Sequence, residues 1–356
     1  MGVAERGVVA SAEIVLGLSE AGFRAGAAGA RVVSAELLAN VLLSWLRAGD
    51  IRWEVAPGFG ASGEDVPDEA EDEVDATLRL GSWRARGRLR RRAADPVPEW
   101  DERVRVALGR ALAAAGEGEI RYVGFKLFLR SLLAECDSPG EWMEFVRRFH
   151  LRPDEEFLAD GTPDAHACLE TLARSGLVLG PEDPGPGRVR VAGALEPALR
   201  LEATRQAVRG GCALVGPAHL VMAICALDHA MAHVGARMAE PVAAANAAAR
   251  ALAEFRVGYP EVKDFAMDLE SEPADPPRGD RTWRPDRESP AYAAGLLKVS
   301  TDAARLASDL GQRAVGTSHL LYAIAADGES PGARMLRGCG VDPAALAMRL
   351  GRELAP

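Results

Sequence analysis

The sequence is poor in aromatic residues and has no long hydrophobic run. Aromatic residues make up only 5% of the 356 residues while alanine is frequent, which favours helices over sheets. No uninterrupted apolar stretch reaches the roughly twenty residues that cross a bilayer, and the first twenty residues lack the apolar core of a signal peptide. We therefore predict a cytoplasmic protein with no membrane partner.

Closely spaced cysteine pairs and an excess of basic residues are also missing. The five cysteines are far apart and form no C-x-x-C pair, which is typical of reduced thiols rather than of a disulfide framework. The formal net charge of -10 weighs against general binding to nucleic acid or to anionic membranes. These features favour an ordinary globular protein of two to three domains.

Signatures of catalysis and nucleotide binding are absent too. The sequence contains no H-E-x-x-H, no G-x-S-x-G and no G-x-G-x-x-G after a strand. Only three of the 42 basic residues are lysines (Lys126, Lys263, Lys298), and none follows the glycine that a phosphate-binding P-loop requires. We predict that the chain is not an enzyme and holds no cofactor or metal.

What the sequence does contain is one phrase repeated four times. An alanine is followed at intervals of four residues by a second alanine, usually a glycine, and then a valine that opens an apolar run. The four copies, repeats 1 to 4, are Ala21, Ala25, Gly29, Val33; Ala111, Ala115, Glu119, Val123; Ala203, Ala207, Gly211, Val215; and Ala303, Ala307, Gly311, Val315. The spacing predicts a helix with a small-residue face that ends near the glycine.

Repeat 4 predicts four short helices. After the first helix and its C-terminal Gly311, Thr317 is the predicted N-cap of a second helix. Ser330 before a proline and Asp342 before a proline are predicted to begin the third and fourth helices. The fold class predicted from these patterns is all-α.

The repeats also predict a division into domains. Ser138, Pro139 and Gly140 follow Val123 at the same offsets at which Ser330, Pro331 and Gly332 follow Val315, so repeats 2 and 4 are complete. Repeats 1 and 3 keep only the helical pair. We therefore predict two double-repeat domains, 1–160 and 195–356, connected by residues 161–194 that hold a helix and a small β-hairpin.

Three segments lie outside the repeats. Residues 54–100 carry an acidic run and then a basic one, and the alternation at 84–90 predicts a strand paired with residues 77–80. Residues 162–176 predict a capped helix, followed by the hairpin segments LVLG and RVRV. Residues 271–290 have the composition of a solvated loop.

The phrase A-x-x-x-A-x-x-L-G-x-x-x-V-G-T-S-H-L-L of repeat 4 closely resembles the amino-terminal repeat domain of Clp protease ATPases. The similarity continues through ARMLRGCGVDPAAL, residues 333–346. Repeat 3 matches through VGPAHLVMAI, whereas VGFKLFLRSL of repeat 2 and VVSAELLANVL of repeat 1 are weaker. The resemblance implies two tandem Clp N-terminal-like domains without the family's ATPase motor.

The resemblance implies a function in binding rather than in catalysis. Domains of this family bind adaptors, degron-bearing substrates, and in some members arginine-phosphorylated proteins or cyclic peptide antibiotics. The chain is thus predicted to be an adaptor, decoy or sponge in the regulation of proteolysis, with peptides, proteins, Clp ATPase or protease components, or a cyclic peptide as partners. An alternative is a scaffold in a stress or defence assembly.

The resemblance also implies candidate ligand-binding residues. The family usually has a glutamate, thought to hold a guanidinium, where Glu36, Lys126, Ala218 and Ser318 stand in the four repeats. Only Glu36 keeps that chemistry, which lowers the expectation of phosphoarginine binding. The candidate ligand-binding residues are Glu36, Lys126, Thr317, Ser318 and His319.

Two further constellations have competing interpretations. Cys225, His229 and His233 are four residues apart and could share a zinc ion, but no fourth ligand lies nearby, so a half-buried helix face is favoured. A second function is a regulator that contacts nucleic acid through the arginine run or through the hairpin region at 162–191, although the acidic run beside the arginines favours internal pairing. Its candidate residues are Arg84, Arg86, Arg88 and Arg90.

Overall fold

A computed structural model describes residues 9–47, 68–89, 97–117, 122–137, 179–181, 189–191, 195–233, 236–238, 243, 245–265, 289–312 and 314–355. The chain divides into two compact units. The first unit holds residues 1–167 with 285–288, and the second holds residues 168–284 with 289–356. The predicted boundaries at 160 and 195 stay a prediction.

The first unit contains repeats 1 and 2. Its elements are β1 (Val9–Ala10), α1 (Ala12–Ala27), β2 (Val32–Val33), α2 (Ala35–Arg47), α3 (Asp68–Leu89), β3 (Glu99–Trp100), α4 (Glu102–Glu117), β4 (Tyr122–Val123) and α5 (Phe125–Glu135). The two-residue strands form two parallel pairs, β1 with β4 and β2 with β3. The strand before the first helix of each repeat thus pairs with the strand after the first helix of the other, which interlocks the two repeats.

The second unit contains repeats 3 and 4. Its elements are β5 (Leu179–Pro181), β6 (Val189–Val191), α6 (Glu196–Arg209), β7 (Leu214–Val215), α7 (Pro217–His233), β8 (Arg237–Met238), α8 (Ala248–Glu254), α9 (Tyr259–Phe265), β9 (Ala291–Tyr292), α10 (Ala294–Asp309), α11 (Thr317–Ala326), α12 (Pro331–Gly338) and α13 (Pro343–Leu354). Strands β7 and β9 pair in parallel, as β2 and β3 do. The predicted all-α fold is confirmed, and no helix among the described residues has the length and hydrophobicity to span a bilayer.

The repeated alanines form the helix contacts that the spacing predicted. All eight motif alanines are buried, at 3% exposure or less, so the first helix of each repeat lies close to its neighbours. Gly29, Gly211 and Gly311 each have φ between 66° and 72°, the left-handed conformation that favours glycine after a helix. The next residue donates its N–H to the carbonyl of the second motif alanine, for example Gln312 to Ala307 at 2.8 Å. This bond ends the helix with a Schellman motif.

The remaining helices of repeat 4 are also confirmed. Ser330 Oγ accepts the Ala333 N–H at 3.1 Å, and Asp342 Oδ1 accepts the Ala344 N–H at 3.1 Å, so both residues cap the helices they were predicted to begin. The predicted hairpin is confirmed as well, since β5 and β6 pair antiparallel. Strand β8 adds to it in parallel, which the sequence did not predict.

The strand predicted at 84–90 and its pairing with 77–80 are wrong, because both segments belong to the single helix α3. Val74, Leu78, Gly81, Ala85 and Leu89 are spaced by three or four residues and all are buried. This helical face contacts α1 and outweighs the local alternation of arginines. The predicted helix at 162–176 and most of the predicted loop at 271–290 lie outside the described residues.

Candidate functional site

The four residues aligned with the family's glutamate occupy one structural position. Each second helix, α2, α5, α7 or α11, begins two residues after the motif valine of its repeat. The second residue of these helices is in turn Glu36, Lys126, Ala218 and Ser318. The Lys126 side chain lies outside the described residues, and Ala218 is buried at 3% exposure.

Glu36 binds a guanidinium that belongs to its own chain. Arg103, near the start of α4, donates from Nη1 to Glu36 Oε1 at 2.7 Å and from Nη2 to Glu36 Oε2 at 3.2 Å. The same guanidinium donates to Asp101 Oδ2 at 2.8 Å and to Asp137 Oδ1 at 2.9 Å. One arginine therefore joins three carboxylates, and the bidentate contact with Glu36 links the second helix of repeat 1 to the first helix of repeat 2.

The charges in this cluster stabilise one another. Hydrogen bonds from the Arg103 guanidinium hold the pKa of Asp101 below its usual value. Partial burial opposes ionisation of Glu36, but hydrogen bonds from its own backbone and from Ser34, with the charge of Arg103, keep its pKa lowered overall. Glu36 is therefore an ionised carboxylate that is already paired, and an external guanidinium would have to displace Arg103.

Replacing Arg103 by glutamine should lower the free energy of unfolding of the first unit by about 1 kcal/mol, because Glu36 and Asp101 lose their shared cation. The side chains of Arg103 and Glu36 are both 31% exposed, so solvent screening keeps the expected loss moderate. Hydrogen exchange of the α2 and α4 amides in the full chain measures this change. Arg305→Gln is the control, because Arg305 is 74% exposed and its ion pair with Asp302 lies on a single helix. Equal exchange in both variants would contradict a structural role for the cluster.

Thr317 is not the N-cap of α11, so that prediction is wrong. The N-cap residue is Gly316, and Thr317 is the first residue of the helix. Thr317 Oγ1 instead accepts the Ala248 N–H at 3.4 Å, and Ser318 Oγ accepts the Ala247 N–H at 3.0 Å. The two hydroxyl groups therefore satisfy backbone donors at the start of another helix, α8.

Residues just before α8 in turn accept hydrogen bonds from the first N–H groups of α11. Asn246 Oδ1 accepts the Thr317 N–H at 2.8 Å, and the Ala245 carbonyl accepts the Ser318 N–H at 3.1 Å. The starts of α8 and α11 thus cap each other. Because Thr317 and Ser318 are buried at 4% exposure or less, their polar groups are used within the chain.

His219 and His319 share one role in repeats 3 and 4. Each is the third residue of its helix, and its Nδ1 accepts the N–H of the residue before the helix, Gly216 at 3.0 Å and Gly316 at 3.1 Å. Nε2 of both rings is buried without a hydrogen-bond partner among the described residues. Burial lowers the pKa of His319 and lowers that of His219 to about 4, so both rings are neutral helix caps.

The candidate nucleic-acid residues lie on α3 or outside the described part of the chain. Arg88 donates to Glu20 at 2.5 Å, and its guanidinium lies 4.0 Å from the centre of the Phe23 ring. Arg84 and Arg86 are half-buried, and Arg90 lies outside the described residues. On a helix Arg84 and Arg88, four residues apart, share a face, but Arg86 points away from both, so the single basic face expected of a strand does not form.

Among the described side chains, Cys225 and His229 of α7 form no metal site with a third ligand. Cys225 is buried at 3% exposure, and burial raises the pKa of its thiol. His229 packs on the Tyr259 ring at 5.9 Å, and the His233 side chain lies outside the described residues. No group of three or more potential metal ligands occurs among the side chains that the structure describes.

Among the described residues, an apolar groove on the second unit is open to an external ligand. It lies between α6 and the β9–α10 segment, and the ends of α7 and α11 form its floor. Its principal lining residues are Leu199, Arg200, Leu220, Tyr292, Leu296 and Leu320. Leu297 and Ser300 extend the groove along α10.

Two large apolar side chains in this groove face solvent. Tyr292 is 41% exposed and Leu297 is 51% exposed, whereas most large apolar residues of the second unit are buried. Arg200 stands beside Tyr292, with its guanidinium 5.9 Å from the ring centre, and pairs with Glu196 at 2.7 Å. The surface therefore offers an apolar contact with a charged rim, which is the usual anatomy of a small protein-binding site.

The sequence predictions missed this groove, although it has a signal in the repeats. An aromatic residue stands eleven positions before the first alanine in both complete repeats, Tyr292 before Ala303 (303 − 292) and Trp100 before Ala111 (111 − 100). A position held by an aromatic in two repeats points to a shared contact surface. That Trp100 is half-buried whereas Tyr292 is exposed is visible only in the structure.

Residues 296–356 match the profile of the Clp repeat (R) N-terminal domain. The match covers most of α10 and all of α11, α12 and α13, so the family resemblance of repeat 4 is confirmed. Tandem Clp N-terminal-like domains over the rest of the chain stay a prediction. No curated protein matches the chain.

Proposed function

From the Clp repeat match and the open groove, we propose that this protein binds protein or peptide segments through its second unit. The observation that carries the proposal is the exposure of Tyr292 and Leu297 side by side along one groove. Leu297 is 51% exposed, so covering the remaining half of its side chain contributes about 0.8 to 1.5 kcal/mol to association. Arg200 at the rim supplies the polar contact that orients a ligand.

The proposal assigns no ligand role to the polar residues at the helix starts. Glu36 is paired with Arg103, and the hydroxyl groups of Thr317 and Ser318 and Nδ1 of His319 are used within the second unit. A ligand at either place would break existing contacts, whereas a ligand in the groove would cover exposed apolar surface. Binding through the groove therefore has the smaller energetic cost.

Within this function we further propose an adaptor, decoy or sponge in the cytoplasm. The Clp repeat match supports partners related to Clp proteolysis, including an ATPase or protease component, a substrate or a cyclic peptide. The absence of a P-loop lysine from the sequence supports a role in recognition without unfolding. The nucleic-acid alternative has less support, since on α3 Arg86 points away from Arg84 and Arg88, and Arg88 is paired with Glu20.

Selection of a phage-displayed random peptide library on the full chain tests the proposal. We expect enriched peptides whose affinity, measured by fluorescence polarisation, falls at least about tenfold in the variant Leu297→Asp, because the charge replaces apolar contact area. Met348→Asp is the matched control, since Met348 is an exposed apolar residue of the same unit, at 61%, that does not line the groove. No enrichment, or equal affinities for the two variants, would refute binding through the groove.

A further inference from the structure

The two units allow a residue-by-residue comparison of this groove. Motif alanines place repeat 3 at 182 residues after repeat 1 (203 − 21) and repeat 4 at 192 residues after repeat 2 (303 − 111). By these offsets Arg200 corresponds to Leu18, Tyr292 to Trp100, and Leu297 to Arg105. The first unit therefore contains a counterpart of the groove at known positions.

In the first unit, helix α3 lies across the surface that corresponds to the groove. Trp100 Nε1 donates to Ser82 Oγ of α3 at 2.8 Å. Arg105 forms an ion pair with Asp75 of α3, two turns before Ser82. Leu18, in the middle of the surface, is fully buried. Helix α3 thus contacts Trp100, Arg105 and Leu18. These three residues correspond to Tyr292, Leu297 and Arg200, which line the groove of the second unit.

A small residue lets α3 approach α1 closely. A Cβ atom built on Gly81 would lie 2.7 Å from the Leu18 Cβ and 3.3 Å from the Trp100 ring, so only glycine fits at this crossing. Ala85 meets α1 at Gly22 one turn later. Glycine and alanine spaced by four residues therefore allow the two helix backbones to pack against each other.

In the described part of the second unit, no helix lies on this surface as α3 does in the first. Among the described residues, α7 is the only helix packed extensively on α6. The position of half-buried Trp100 is taken by exposed Tyr292, and the position of Arg105, which pairs with an acid, is taken by exposed Leu297. Arg105 binds an acidic residue of α3, whereas Leu297 at the same position favours an apolar residue in whatever covers it.

We infer that the ligand of the groove is an amphipathic helix that lies across α6 and α10 as α3 lies across α1 and α4. This inference rests on the proposed function and names the class of its partner. The ligand helix carries a small residue where it crosses Arg200, as α3 carries Gly81 at Leu18. Six residues earlier it carries an apolar side chain over Leu297, in place of Asp75 (81 − 75). Helix-in-groove recognition of this kind uses contacts one or two turns apart.

The chain supplies its own probe for this inference. A labelled peptide of residues 68–89 with Asp75→Leu is titrated against the full chain, and its binding is followed by fluorescence polarisation. A second peptide adds Arg79→Pro, which breaks the helix between the two contact positions, and a third adds Arg79→Ala as the helical control. A fourth adds Gly81→Val, which blocks the close crossing.

The Asp75→Leu peptide and its Arg79→Ala form are expected to bind the full chain. The affinity of the Arg79→Pro peptide should be at least about tenfold lower than that of the Arg79→Ala peptide. The Gly81→Val peptide should bind at least about tenfold more weakly than the Asp75→Leu peptide. The protein variant Leu297→Asp should weaken the helical peptides, and Met348→Asp should not. Equal binding of the proline and alanine peptides would show that the groove takes an extended segment, which overturns the helix and leaves the proposed function intact.

Two other results would also overturn the helix inference. The first is no binding of any α3-derived peptide while library-selected peptides still bind in a Leu297-dependent way, which again leaves the proposed function standing. The second is a dimer of the unliganded protein, seen by light scattering, that Leu297→Asp converts to a monomer. That result would assign the groove to a second copy of the chain. Failure of the library selection itself would count against the proposed function.

Discussion

Gly316→Ala is expected to destabilise the second unit by about 3 kcal/mol, the upper range for an overpacked interior site. A Cβ atom on Gly316 would lie 2.0 Å from the Ala245 carbonyl oxygen and 2.6 Å from its carbon. These are backbone atoms, and the Ser318 N–H holds the same carbonyl at 3.1 Å. The added methyl group can fit only if the starts of α8 and α11 separate, which breaks their mutual capping.

The first unit supplies a matched control for this substitution. Gly124 stands at the same position of repeat 2 (316 − 192), has φ of −75° and would place a Cβ atom with nothing within 4 Å. Gly124→Ala should therefore cost less than about 1 kcal/mol, the usual loss for alanine at an N-cap. Urea unfolding of both variants, with hydrogen exchange to assign the unit that opens, measures the difference. Similar losses for the two glycines would contradict a specific role for the contact between Ala245 and Gly316.

Acid should weaken the second unit between about pH 6.5 and pH 4 because of His219 and His319. Burial holds both rings neutral in the folded protein and lowers the pKa of His219 to about 4, whereas an unfolded histidine titrates near 6.5. Below pH 6.5 the unfolded chain thus binds more protons, so stability falls as the pH falls. For His219 alone the difference amounts to about 3 kcal/mol once the pH is below 4.

The double variant His219→Gln, His319→Gln tests this pH dependence. Glutamine at the third helical position can accept the N-cap N–H as the imidazole does, but it has no proton to gain. We expect the variant to lose most of the decline between pH 6.5 and 4 in urea unfolding monitored by circular dichroism. An unchanged profile in the double variant would show that the two buried rings do not govern acid stability.

Much of the fold could be predicted because helix spacing and helix ends have local causes. The motif alanines indicated the buried faces, the motif glycines indicated three C-terminal caps, and Ser330 and Asp342 indicated two N-terminal caps. Each of these signals lies within a few residues of the feature it determines. The family resemblance, later confirmed over residues 296–356, was read from the same local phrase.

Predictions failed where a residue's partner is distant in sequence. Threonine is a residue type that favours the N-cap, but the Thr317 hydroxyl accepts the N–H of Ala248, 69 residues away. The arginines at 84–88 alternate as in a strand, but the neighbouring apolar residues pack on α1 and fix a helix. Glu36 could be identified as a carboxylate suited to a guanidinium, but its partner Arg103 lies 67 residues away.

The sequence by itself determined the repeated helices, their caps and the absence of a P-loop, because each depends on residues close together in the chain. Only the tertiary structure decided which polar groups are already paired and which apolar surface is left open. Trp100 and Tyr292 occupy the same position in their repeats, yet Trp100 is half-buried against α3, whereas Tyr292 is exposed among the described residues. Burial is a property of the assembled unit, and so the candidate site became visible only when distant segments were placed together.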